Sequence, residues 1–145
     1  MTTAERRVLL AISVLAIAGM IISSVSLYHH YGTDTNSFCD LGGEFNCDIV
    51  NRSVYSVVLG VPVALIGIMG YGLLLGLGTQ WRAKAETPML LLGASVGGLC
   101  FALYLTYIEG YVLGAWCILC LSSLAIISSI AILAGLQVAL SKRRV

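Results

Sequence analysis

The run GAWCILCLSSLAIISSIAILAGLQVAL, residues 114–140, contains no charged side chain and carries two cysteines, Cys117 and Cys120, near its start. Its 118–140 part is long enough to cross the roughly 30 Å hydrocarbon layer of a bilayer as a helix. Three similar apolar windows precede it, at 8–27, 54–78 and 89–108. Composition points the same way: of 145 residues, 59% are hydrophobic and 10% charged, with a mean hydropathy of +0.96. Soluble domains carry about 25% charged residues. Backbone polar groups find no water inside lipid, so spans this apolar must satisfy themselves as helices. The expected fold is an all-α integral membrane protein, a four-transmembrane-helix bundle forming a single membrane domain over 1–145, with an extracytoplasmic cap loop over 28–53.

Three connections separate the windows: the long polar one, a short basic one over 79–88, and a third over 109–116 that is barely more than a hairpin. Arg6, Arg7, Arg82, Lys84, Lys142, Arg143 and Arg144 fall on one side of this topology and Arg52 alone on the other. The positive-inside rule then predicts cytoplasmic termini and an extracytoplasmic face holding Asp34, Asp40, Glu44, Asp48 and Glu109. An N-terminal basic pair, an apolar stretch and Ser24-Val25-Ser26 imitate a cleaved signal peptide. The apolar run exceeds the usual signal core of about 7 to 15 residues, so the first span is expected to be retained. Gly72 with Gly76 and Gly93 with Gly97 are small residues spaced by four, a spacing that lets helices approach closely in lipid.

Four of the five cysteines gather on the extracytoplasmic side. Cys117 and Cys120 stand at i and i+3, so on a helix they share one face, near enough for a disulfide. At a helix start, free N–H groups and the dipole favour the thiolate of Cys117. A redox pair, a metal knuckle and two packed small residues all remain compatible with C-x-x-C alone. Cys39 and Cys47 flank Gly42 and Gly43, which give a flexible connection that would let the sulfurs meet or part. Their acidic surroundings suit an electron carrier better than a primary nucleophile, and a permanent structural disulfide is an equal alternative. A four-thiolate zinc site is disfavoured by the wide loop spacing. Cys100, inside the third window, reads as a packing residue.

Together, CDLGGEFNCDIVNRSVYSVVLGVPVALIGIMGY and ALYLTYIEGYVLGAWCILC resemble the vitamin K epoxide reductase family, particularly its prokaryotic homologues. The resemblance implies that Cys117 and Cys120 reduce a quinone at the extracytoplasmic end of the bundle, with Cys120 the sulfur nearest the quinone. It implies that Cys39 faces a separate thioredoxin-fold (DsbA-like) partner, that Cys47 forms a transient disulfide with Cys117, and that Ser53 helps hold the cap loop. Ser56 and Leu124 stand where vertebrate members carry an asparagine and a tyrosine close to the vitamin K carbonyls. Val63, Ile66, Tyr71, Leu105 and Leu113 complete the implied quinone contacts.

These departures favour a prokaryotic membrane thiol–disulfide oxidoreductase supporting disulfide bond formation over an enzyme of a vitamin K cycle. Enzymes of the DsbB type share the cysteine count and the quinone, but in them C-x-x-C lies in the first loop. The implied electron acceptor is menaquinone, ubiquinone or a vitamin K type quinone, with no metal and no nucleic acid. A non-catalytic tetraspan scaffold with a structural loop disulfide is the rival from another class. Glu109, beside Tyr107, is a candidate proton supply, although a solvated interfacial carboxylate is the stronger expectation. His29 and His30, between Tyr28 and Tyr31, read as an interfacial belt.

Overall fold

The computed structural model describes residues 2–31, 54, 57–81, 84, 86–114 and 118–143, and at 29–31 and 113 it describes the backbone. In chain order these form α1 (Thr3–Tyr31), β1 (Val57–Val58), β2 (Val61–Pro62), α2 (Val63–Thr79), α3 (Thr87–Tyr107), a π-helical turn (Ile108–Leu113) and α4 (Ile118–Arg143). Three helical stretches, Thr3–Tyr28, Thr87–Val112 and Ile118–Arg143, are long and apolar enough to cross a membrane. Their outer faces carry exposed Leu10, Val14, Ile21, Leu90, Leu103 and Ile132, as a surface facing lipid should. The protein is therefore an integral membrane protein.

Helix α1 begins with a reciprocal cap. The Thr2 backbone N–H donates to Glu5 Oε2 at 2.7 Å, and the Glu5 N–H donates to Thr2 Oγ1 at 3.2 Å. It continues through Tyr31, past the expected end at Leu27. Hydroxyls inside the spans turn back on their own helix: Ser13 to the Leu9 carbonyl at 2.9 Å, Thr106 to Ala102 at 2.8 Å and Ser128 to Leu124 at 2.7 Å. In lipid this is how a hydroxyl is satisfied without a partner helix.

The expected second span, 54–78, is divided. Its first part folds back as an antiparallel hairpin pairing Val57 with Pro62 and Val58 with Val61. The two-residue turn has both backbone φ angles positive, 52° at Leu59 and 82° at Gly60. That is the twist a tight hairpin needs, and it suits Gly60 better than Leu59, whose side chain is 99% exposed. Pro62 has no N–H to continue a ladder, and α2 starts directly after it. With 17 residues, α2 is about 26 Å long, shorter than the roughly 30 Å hydrocarbon layer.

Helix α3 starts at Thr87 with Pro88 in its first turn, where a missing N–H costs nothing. The Thr87 hydroxyl donates to the Trp81 carbonyl, and Lys84 Nζ lies 5.6 Å from the Trp81 ring centroid. At its other end, α3 passes into the π-helical turn, where a loose connection is expected, and this turn stops at Gly114 with φ +63°. The Gly114 N–H donates back to the Glu109 carbonyl.

Helix α1 packs along α2 and α4, α3 packs along α4, and α2 touches α3 more sparsely than these. The buried apolar core occupies one half of the bundle: Ile12 and Ala16 of α1, Leu74 and Leu77 of α2, Leu91 of α3, and Ile130 and Ala134 of α4. The other half, where α4 begins and α3 ends, is left open as the site described below.

Close approach comes from glycines other than the expected pairs. Gly72, Gly76 and Gly93 have nothing within 4 Å of an added Cβ, and neither has Gly97. Contact falls instead at Gly19 against Tyr71, Gly67 against Ser23, Gly78 against Ser13 and Gly98 against Ile127. Spacing by four shows which glycines share a helix face, not which face meets a neighbour. At Gly67 a Cβ would lie 2.7 Å from Ser23 Oγ. Gly67→Ala should therefore lower stability by about 1–2 kcal/mol. Gly76→Ala should be neutral or raise it by up to about 1 kcal/mol, with thermal unfolding in detergent as the measurement for both.

Candidate functional site

A cavity of about 370 Å³ occupies the open half of the bundle, within the usual size range of sites for small organic ligands. Helix α1 contributes Ile22, Ser23 and Ser26 to its wall, and the hairpin end and α2 contribute Pro62, Val63, Ile66, Gly70 and Tyr71. Helix α3 contributes Gly97, Gly98, Phe101 and Leu105, and the π-helical turn adds Ile108 and Glu109. Helix α4 closes the wall with Leu119, Cys120, Ser123 and Ile127. Most of this lining is apolar, and a few polar groups converge on it.

Cys120 sits in the first turn of α4 as a free thiol, half-buried. One turn further on, Ser123 shares the face of Cys120. Tyr71, reaching across from α2, donates its hydroxyl to the Ser123 carbonyl at 3.0 Å and lies 2.7 Å from Ser123 Oγ. With the phenol hydrogen given to the carbonyl, the serine hydroxyl is the donor left for the phenol oxygen. The pair ties α2 to α4 across the diagonal of the bundle, just below the thiol. The Tyr71 ring is itself backed by Gly19 of α1, where no side chain intervenes.

Glu109 is 1% exposed. The expectation of a solvated interfacial carboxylate is thus overturned, because the π-helical turn prolongs the inward face of α3 instead of opening into a loop. The neighbours of Glu109 on the outer side are Tyr107 and Tyr111, with ring centroids 5.0 Å apart, both exposed. These rings, with Tyr104 and Tyr28, form the aromatic girdle suited to a membrane–water boundary.

Of the expected site residues, the structure brings Val63, Ile66, Tyr71, Leu105 and Cys120 to one cavity. Leu124, half-buried on α4, is not part of that wall, and Ser123 takes the place expected for it. Cys39, Cys47, Ser53, Ser56 and Cys117 lie outside the described residues, as does most of the cap loop, and Leu113 is described by its backbone. Sequence reasoning missed Ser23, Ser26 and Ser123. A signal was present for each, since Ser123 stands three residues after Cys120 and the two α1 serines are three apart.

A family model described as the vitamin K epoxide reductase family matches residues 10–135. That interval takes in every described residue that lines the cavity, together with both cysteine pairs. Since it also covers most of the chain, this integral membrane protein belongs to the vitamin K epoxide reductase family.

Proposed function

We propose that the chain is a membrane thiol–disulfide oxidoreductase that takes electrons from an extracytoplasmic thioredoxin-fold (DsbA-like) protein and delivers them to a quinone bound beside Cys120. The single observation that carries this reading is the free thiol of Cys120 in the wall of a largely apolar cavity of about 370 Å³. The fit is chemical as well as steric. A flat apolar ring with polar oxygens at its edge suits a lining that is apolar except at Cys120, Ser123, Tyr71, Glu109 and the two α1 serines. Leu105 and Ile66 supply apolar contact, and Tyr71 and Ser123 hold the turn of α4 that carries the thiol.

A quinone, when bound, accepts two electrons and two protons. The residues of this chain do the rest. Cys117 and Cys120 form the dithiol that is oxidised, Cys47 exchanges with Cys117 through a mixed disulfide, and Cys39 meets the partner protein. Each exchange is attack by a thiolate on a disulfide sulfur through a mixed disulfide. Ser53 steadies the cap loop, and Ser56 belongs to the quinone contacts. In this reading α2 and the hairpin before it make the fourth crossing of one membrane domain. The end bearing Arg6, Arg7, Lys84, Lys142 and Arg143 is cytoplasmic, and the cavity end is extracytoplasmic.

The test is quinol formation by the purified protein with a reduced thioredoxin-fold donor, comparing menaquinone, ubiquinone and vitamin K epoxide. Donor-dependent reduction of a quinone is the expected result. No turnover with any acceptor, from a folded protein, leaves the tetraspan scaffold as the better account, and reduction of the epoxide alone returns the function to a vitamin K cycle.

A further inference from the structure

A carboxylic acid shut into the apolar body of a membrane protein marks a candidate for substrate or proton handling. Glu109 is 1% exposed and belongs to the wall of the cavity that contains Cys120. We propose that Glu109 relays protons from the Cys117–Cys120 dithiol to the quinone oxygens, an inference that rests on the function proposed above.

The geometry that supports this is the course of one helix face. Ala94, Gly98, Ala102 and Leu105 of α3 line the cavity at intervals of three and four, and Ile108 and Glu109 continue the same face into the π-helical turn. Their neighbours point elsewhere: Tyr107 is 59% exposed and Tyr111 81%. Single π-turns within helices are frequent at functional sites, since the wider turn re-aims side chains. Here it keeps a carboxyl group on the cavity side at the level where α4 starts.

The chemistry selects among the groups present. The other titratable side chains on the described wall are Tyr71 from α2 and Cys120 from α4, while α1 offers the hydroxyls of Ser23 and Ser26. Cys120 belongs to the redox pair, and Tyr71 carries a phenol, which gives up a proton far less readily than a carboxyl group. Glu109 is the carboxyl group of that wall, and a carboxylate both takes and returns a proton readily.

The step balances. Oxidation of the dithiol breaks two S–H bonds, forms one S–S bond and releases two electrons and two protons. The quinone takes both electrons and both protons and leaves as the quinol. The Glu109 carboxylate accepts each thiol proton in turn and passes it to a quinone oxygen, so it ends each cycle in the state in which it began.

The test compares Glu109→Gln and Glu109→Asp with the parent protein in detergent, using short-chain ubiquinone and menaquinone. Glu109→Gln keeps the side-chain volume and should slow quinol formation about 100-fold. It should retain the rise in melting temperature that added quinone produces, and should remove a carboxyl band from infrared difference spectra between dithiol and disulfide forms. Glu109→Asp should restore much of the rate. Quinol formation by Glu109→Gln at the parent rate overturns the relay and leaves the quinone reading intact. Equal loss in both variants, with quinone no longer raising the melting temperature, assigns Glu109 a structural role and also overturns it. A parent protein that reduces no quinone removes the underlying reading and this inference together.

Discussion

Replacing Cys120 by alanine should lower quinone reduction on the order of 1,000-fold or more and leave the bundle folded. The two halves of this expectation have separate physical grounds. Loss of rate follows from the proposed function, in which this sulfur serves the quinone, and among the described residues that line the cavity no other carries a thiol. Retention of the fold follows because Cys120 is half-buried, and its thiol is free. Removing one partly buried sulfur costs about 1 kcal/mol. The contacts that fix the first turns of α4, from Tyr71 to Ser123 and from Ile127 to Gly98, are untouched. Quinol formation and thermal unfolding, measured on the same preparation, check the two halves independently. Undiminished quinol formation would sink the assignment of Cys120 as the sulfur that serves the quinone.

The largest effect on stability is expected at Gly19. A Cβ there would stand 2.4 Å from Tyr71 Cε1, 2.5 Å from Cδ1 and 2.6 Å from Cζ, deep inside van der Waals contact with one edge of the ring. The ring has little freedom to withdraw, because its hydroxyl is held at Ser123 by two short contacts. Gly19→Val therefore forces either a separation of α1 from α2 or release of the α2 to α4 tie. Overpacking of this kind costs about 3 kcal/mol, and a lost hydrogen bond adds about 1 kcal/mol. Gly135→Val, at a position with open space around the Cβ, is the matched control. A Gly19→Val protein that melts with the parent would show that Tyr71 can move aside, and with it the turn that carries Cys120.

Much of the fold was legible because lipid makes hydropathy an unusually direct signal. The apolar windows 8–27, 89–108 and 118–140 correspond to α1, α3 and α4. The division of 54–78 was hidden by the same uniformity. Residues on both sides of the break are equally apolar, so hydropathy does not register that two left-handed residues reverse the chain. The run of β-branched Val57, Val58 and Val61 with Gly60 and Pro62 was the available clue to strands and a turn. The π-helical turn depends on which carbonyl each N–H chooses, and side-chain pattern says little about that choice. Glu109 was misjudged for a related reason: a carboxylate beside tyrosines at a span end is ordinarily wet, and only the continuation of the helix face makes it buried. Of the candidate site, the residue types that carry chemistry could be picked out, whereas Tyr71 meeting Ser123 is a long-range contact that no local spacing encodes.

The sparse contact between α2 and α3 bears on how activity scales. Gly70 and Gly97 border the cavity from these two helices, both exposed and both with open space at the Cβ, so the seam faces the lipid with little side-chain bulk. A lipid-soluble substrate arriving there is counted per unit of membrane, not per litre of solution. Diluting the protein with more lipid or detergent at fixed quinone lowers the saturation of the site as surely as removing quinone does. Under the proposed function, the concentration that governs turnover is therefore the mole fraction of quinone in the bilayer.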